Sequence, residues 1–405
     1  MYCRLCGSAR LHGIVDLGAT PPCERFLSAE MLEEPEPSYP LRLRLCADCL
    51  LAQIPALITP EETFTEYAYF SSYSDSWVAH AKLLVEEGLA RSGAGFVVEV
   101  ASNDGYLLRH VAERGVRCLG IEPSVNVGKA ARDRGIPTLT AFLGPETARA
   151  VRREHGPAAL VIANNVYAHV PDLLGFTAGL RELLAADGWL CLEVAYLARL
   201  IEGNQFDTIY HEHFQYYTLA SAIAALRTGG LDVVDVETLD THGGSLRIWA
   251  RPAELQAPRA HAVGALLAAE RAAGLHSPHG YRSFAEQVTR TRAEILRFLL
   301  DARAADRLVV GYGAPGKGNT LLNYCGVRPD LLPYTVDRNP YKHGRFTPGT
   351  RIPIHPPERI AEDRPDYVFV LPWNLRAELT EQLAYIGEWG GKLIFPIPEL
   401  QEVRP

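Results

Sequence analysis

The sequence predicts a multidomain α/β protein organised around doubly wound parallel sheets. Three observations carry this. Short apolar runs alternate with helix-length segments through the middle of the chain. The same plan resumes nearer the C-terminus, from "RLVVGYGAPGKGN" to "GKLIFPIPE". With 405 residues, the chain is too long for one ordinary hydrophobic core.

Taken in order, residues 1–58 form a block of loops and short apolar segments such as "YPLRLRLCADC", with too little apolar sequence to fold comfortably without a staple. Residues 59–255 supply "GFVVEVASNDG", "RCLGIEPS", "IPTLTAFLG", "AALVIANNVYAHV" and "GWLCLEVAY" as buried strands. "LDVVDVETLD" and "GGSLRIWARP" then read as a terminal antiparallel hairpin. Residues 256–405 begin with helix-rich sequence and continue into a second, smaller α/β sheet.

Composition narrows the function classes. The chain is 47% hydrophobic and 22% charged, as expected of a soluble globular protein, and its formal charge is −8. That balance argues against nucleic-acid binding. The opening "MYCRLCGSAR" lacks the apolar core of a secretion signal, and no apolar run reaches membrane-spanning length. A cytoplasmic location with no membrane partner is the expectation; the oligomeric state stays open.

Cys3-x-x-Cys6 and Cys46-x-x-Cys49 have the two-knuckle spacing of a structural zinc site. Four thiolates would close a tetrahedron and leave no open position for catalysis. The other four of the eight cysteines sit singly.

In "VVEVASNDGYLL" an apolar strand ends at Glu99 and turns through Ala101, Asn103 and Gly105 into Tyr106 and the start of a helix. The turn resembles the E/D-x-G-x-G-x-G loop of S-adenosylmethionine-dependent methyltransferases, with Ala101 and Asn103 in place of its first two glycines. In "GIEPS", Glu122 followed by Pro123 stands at the end of the next strand, where an acid can accept from both ribose hydroxyls. Asn164 and Asn165 offer amides at the carboxyl edge of the sheet. A cofactor site is expected there.

"LVVGYGAPGKGNT" satisfies two patterns. Gly311, Gly313 and Gly316 spell GxGxxG, and Gly311 to Lys317 spell GxxxxGK, but Gly318 stands where a P-loop needs Ser or Thr. The simplest reading is a turn whose N–H groups face an anion, with Lys317 and Asn319 close by. A nicotinamide site, with Asp337 at the following strand end, is the alternative and would make the protein an oxidoreductase. A zinc-containing scaffold that binds nucleotides without turnover is the non-enzymatic alternative.

The stretch "FDTIYHEHFQYY" places His211 and His213 around Glu212 among aromatics. In a strand-like conformation both imidazoles share one face. Histidine titrates near working pH and a neighbouring carboxylate can orient it, so a general base is a better reading than a metal ligand.

"CRLC…CADC", "VVEVASNDGYLL", "GIEPS", "NNVYAHVPD", "YHEHFQYYT", "GGSLRIW" and "GYGAPGKGNTLLNY" occur in the order found in the sugar C-methyltransferases. Over nearly its whole length the chain resembles this family. The resemblance implies a zinc-binding N-terminal domain, a Rossmann-like S-adenosylmethionine domain of class I methyltransferase type, and a second Rossmann-like domain contributing to a nucleotide-sugar site. It implies as substrate a dTDP-linked 4-keto-6-deoxysugar of antibiotic or cell-surface sugar biosynthesis, methylated at C3 or C5 through an enolate. By the same resemblance His213 is the base. Tyr210, Glu212 and His169 line the reacting centre with Tyr69, whose match is the least secure. His211, Tyr216, Arg247, Gly316, Lys317 and Asn319 are expected on the substrate side, with the glycine turn facing the diphosphate; His211 is the alternative base.

Overall fold

In the computed structural model, residues 1–64 and 70–405 are described. The chain opens with the knuckle carrying Cys3 and Cys6, then forms strands β1 (Leu11–Thr20), β2 (Tyr39–Cys46) and β3 (Ala52–Gln53). It divides into two compact units of interleaved segments. One comprises residues 1–11, 45–197 and 212–277; the other comprises residues 12–44, 198–211 and 278–405.

The first unit is built on a seven-stranded sheet. Its strands are β4 (Val97–Val100), β5 (Cys118–Ile121), β6 (Thr138–Leu139), β7 (Ala158–Asn164) and β8 (Leu184–Ala195), followed by β10 (Leu231–Leu239) and β11 (Ser245–Pro252). Between β8 and β10 lies the short β9 (Gln215–Tyr216), which pairs antiparallel with β3. The order is β10-β11-β8-β7-β4-β5-β6. β6, β5, β4, β7 and β8 run parallel, and β11 turns antiparallel against β8 and carries β10 as the expected hairpin. The central apolar runs read as strands because they are covered on both faces: all four residues of β4 and of β5 are buried.

The helix Asp75–Ser92 packs on this sheet. Ser74 caps it by accepting from the Trp77 N–H at 3.3 Å, and Trp77, Ala81, Leu84, Val85 and Gly88 form its buried stripe. Gly88 is where helix and sheet come closest: a Cβ there would lie 2.8 Å from Leu160 Cδ2. Trp249, Leu160 and Ile162 continue the same core.

Strand order reverses between β4 and β7, so the loops after β4, β5 and β7 open on one crevice, where open α/β sheets bind ligands. Those loops carry Ala101–Gly105, Glu122 and Asn164.

The second unit holds β12 (Val309–Tyr312), β13 (Thr335–Val336), β14 (Ile354–His355), β15 (Tyr367–Val370), β16 (Lys392–Phe395) and β17 (Gln401–Val403), in the order β14-β13-β12-β15-β16-β17. The first five run parallel and β17 is antiparallel to β16. This is the second, smaller α/β sheet expected from sequence. Among the described residues no helix is long and apolar enough to cross a membrane.

Candidate active site

The turn after β4 keeps the backbone of a glycine-rich loop although two of its glycines are replaced. Ala101 has φ 56°, Asn103 φ 50° and Gly105 φ 80°. Left-handed backbone strains alanine and suits asparagine better, and Asn103 uses its side chain. Its Oδ1 accepts from the Ser71 N–H at 2.8 Å while its own N–H donates to Glu122 Oε2 at 2.9 Å. Glu122 also accepts from the Ser124 N–H, at 2.9 Å, which fixes its carboxylate at the strand end. Pro123 follows it half-buried, and Asn165 (φ 52°) turns the chain at the end of β7. Tyr106 is buried, its ring stacked 6.1 Å from Trp77.

Glu99 is fully buried and neither carboxylate oxygen has a hydrogen-bond partner. Burial, then the charges of Glu122 and Asp104, push its carboxyl well above the usual range. The Ser102 hydroxyl and both amide atoms of Asn164 are likewise buried without partners. Unsatisfied polar atoms at a sheet's switch point, under three acids, call for a ligand that brings donors and positive charge.

The segment Phe206–Tyr217 departs from the strand-like expectation. His211 and Glu212 lie in a turn, strand pairing begins only at Gln215, and the division between the two units falls between His211 and Glu212. The two imidazoles therefore do not share a strand face. In the second unit, Tyr210 is half-buried and His211 is buried. His211 Nε2–H donates to the Tyr39 carbonyl at 3.1 Å, and burial lowers its pKa.

In the first unit, the half-buried His213 ring lies 4.6 Å from the His169 ring, tilted 68°, and 6.0 Å from that of Tyr216. His169 Nδ1–H donates to the Glu212 carbonyl at 2.9 Å, and burial pushes its pKa down to about 4. His169 is thus neutral at working pH, with its lone pair on Nε2. Tyr216, beside the half-buried His213, is itself buried, as are Phe214 and Tyr217. Tyr69 lies outside the described residues.

At the N-terminal knuckle, the four sulfurs of Cys3, Cys6, Cys46 and Cys49 all lie within 4.8 Å of one another. Cys3 and Cys49 are 3.5 Å apart, Cys6 and Cys46 3.6 Å. A tetrahedral zinc with bonds of about 2.3 Å needs sulfurs about 3.8 Å apart, so the cluster fits that ion. Sequence reasoning singled out the four ligands and passed over Arg4 and Gln53 beside them. A polar residue between the cysteines of a knuckle was the available signal.

Two groups expected on the substrate side have partners within the chain. Arg247 is buried, and its guanidinium is spent on Glu193 at 2.7 Å, His80 at 3.3 Å, Glu87 at 3.3 Å and Glu237 at 3.4 Å. The register of β11 on β8 sets Arg247 opposite Glu193, and three carboxylates then hold the cation inside the unit. The glycine turn after β12 is also engaged. The Gly316 N–H donates to the Glu24 carboxyl, whose pKa burial raises. Lys317 Nζ donates to Asn374 at 2.8 Å over the Trp373 ring, and Asn319 donates to the Cys23 carbonyl at 2.7 Å. Trp373 in turn donates to the buried Asp207 at 2.6 Å, a contact the sequence did not suggest.

Comparison with known proteins decides the family. Residues 3–64 match the model of a zinc binding domain, 79–236 that of a methyltransferase domain, and 240–398 that of the C-methyltransferase C-terminal domain. The chain is 38% identical over 400 residues to C-methyltransferase NovU of Streptomyces niveus, covering 98% of this chain and 95% of that one. The chain belongs to the C-methyltransferase family.

Among solved structures, the PH0226 protein of Pyrococcus horikoshii OT3 is 14% identical with a TM-score of 0.37, over 47% of this chain and 97% of its own. Magnesium protoporphyrin IX methyltransferase of Synechocystis PCC 6803 is 17% identical with a TM-score of 0.34, over 43% of this chain and 82% of its own.

This C-methyltransferase uses S-adenosylmethionine, and the crevice after β4 fits it. Glu122 has lone pairs left for the ribose hydroxyls, and Asn164 offers both its amide groups. The Glu122→Gln variant of the C-methyltransferase is expected to bind S-adenosylmethionine about tenfold to a hundredfold more weakly, as titration calorimetry would measure. Unchanged affinity would move the ribose elsewhere. The nicotinamide alternative is set aside with this assignment.

Proposed function

We propose that the protein methylates the carbon next to the ketone of a dTDP-linked 4-keto-6-deoxysugar, at C3 or C5, in deoxysugar or antibiotic biosynthesis. When bound, S-adenosylmethionine supplies an electrophilic methyl group on a sulfonium sulfur. His213 removes the proton next to the ketone, and the charge it leaves behind delocalises onto the carbonyl oxygen as an enolate. The buried Tyr216 ring flanks His213 at 6.0 Å.

The observation that carries the reading is the pair of imidazoles at 4.6 Å. His169, held neutral by burial and oriented by the Glu212 carbonyl, puts no positive charge beside the one His213 acquires on taking the proton. A protonated neighbour would oppose that transfer. Glu212 enters here through its backbone oxygen.

The test uses a panel of 4-ketosugar nucleotides in heavy water. Mass spectrometry and NMR should show deuterium next to the ketone without the methyl donor, and a new methyl at that same carbon with it. If neither label nor methyl ever reaches C3 or C5 of any ketosugar, the proposal fails.

A further inference from the structure

We infer that Arg4, inside the zinc knuckle, is a positioning residue for His213; this rests on the reading of His213 as the base. Arg4 lies between two cysteines of the metal cluster, so a bound zinc fixes its backbone from both sides. Its N–H donates to Gln53 Oε1 at 3.1 Å, and Gln53 Nε2 donates to Cys3 Sγ at 3.2 Å. The fully buried Gln53 thus ties the Arg4 backbone to a ligand sulfur.

From that anchor the guanidinium reaches the residues that follow His213. Nη1 donates to the Phe214 carbonyl and, at 2.8 Å, to Gln215 Oε1. Nη2 donates to the Ile54 carbonyl at 2.8 Å. The 167–170 turn grips the same two residues from the other side. The Phe214 N–H donates to the Ala168 carbonyl at 2.8 Å, and Gln215 Nε2 donates to the carbonyls of Tyr167 and Val170 at 2.7 and 2.9 Å. Ile54 N–H completes the lattice by donating to the Phe214 carbonyl at 3.0 Å.

Phe214, the residue after His213, is therefore fixed at its N–H by the turn that carries His169 and at its C=O by the knuckle. The spacing of the two imidazoles is set between these clamps. Among the described residues no carboxylate pairs with Arg4; its planar fork is used on neutral acceptors spread over two segments. An ammonium, a single point on a flexible stem, does not reproduce that reach. Displacing a base by about 1 Å costs roughly a hundredfold in rate. A partly relaxed clamp is expected to cost about tenfold or more.

The experiment compares wild type, Arg4→Ala, Arg4→Lys and His213→Asn as zinc-loaded full chains. The readouts are zinc content, S-adenosylmethionine affinity, kcat, KM and deuterium wash-in next to the ketone without methyl donor. For both Arg4 variants the expected result is full zinc and unchanged cofactor affinity. Their kcat and wash-in should fall together by about tenfold or more, with KM moving less. Free guanidinium at a non-denaturing concentration should restore part of the Arg4→Ala rate.

Either a kcat within twofold of wild type, or a loss that only tracks lost zinc or lost cofactor affinity, overturns the inference. The His213→Asn arm separates the two readings. If that variant still turns over, the assignment of the base has failed. If it is inactive while Arg4→Ala is fully active, only the role of Arg4 has failed.

Discussion

Replacing His213 by asparagine is expected to abolish turnover by about a hundredfold or more while leaving S-adenosylmethionine binding unchanged. Asparagine is no larger than histidine and retains a polar end, so the packing against His169 and Tyr216 should hold. Only the ability to accept a proton is removed. Glu99, Asn103, Glu122 and Asn164, the residues expected at the cofactor crevice, make no hydrogen bond described above with His213. Single-turnover measurement of product, beside calorimetric titration of the donor, distinguishes a lost base from a lost binding site. Near wild-type rates would return attention to His211, whose Nε2 would first have to leave the Tyr39 carbonyl.

Removing the metal should have the larger structural effect. Structural zinc contributes about 10–16 kcal/mol of apparent binding free energy in small domains, comparable to the whole stability of many proteins. Cys46 is fully buried, so the Cys46→Ser variant opens the thiolate cluster at its least accessible corner. Zinc content should fall below one ion per chain, and the melting temperature should fall by roughly 10 °C or more. Metal analysis and calorimetry check both. A variant that keeps its melting temperature with no metal bound would show that the four sulfurs hold nothing structural.

The sheets were legible in the sequence because covered parallel strands must be apolar on both faces, as "FVVEV" and "LVIAN" are. The zinc ligands were legible because thiolate geometry constrains spacing along the chain. The turn at Ala101–Gly105 was recognisable for a related reason: a left-handed backbone accepts few residue types, and asparagine is one of them.

What failed were contacts between distant segments. Nothing near "GGSLR" announces that Arg247 faces Glu193, because that follows from the register of β11 on β8. Likewise the glycine turn gave no hint that Glu24 would sit on Gly316. The "YHEH" stretch was misjudged as strand-like because its aromatic composition suits strands. A turn at His211–Glu212 overrides that preference locally.

The interleaved path of the chain restricts how this protein can be cut. Each unit is assembled from three separate stretches, with crossings near residues 11, 44, 197, 211 and 277. No single truncation releases either one whole: stopping at residue 277 strands 12–44 and 198–211 without their partners. A chimera that takes either unit whole from a relative would have to exchange all three of its stretches together.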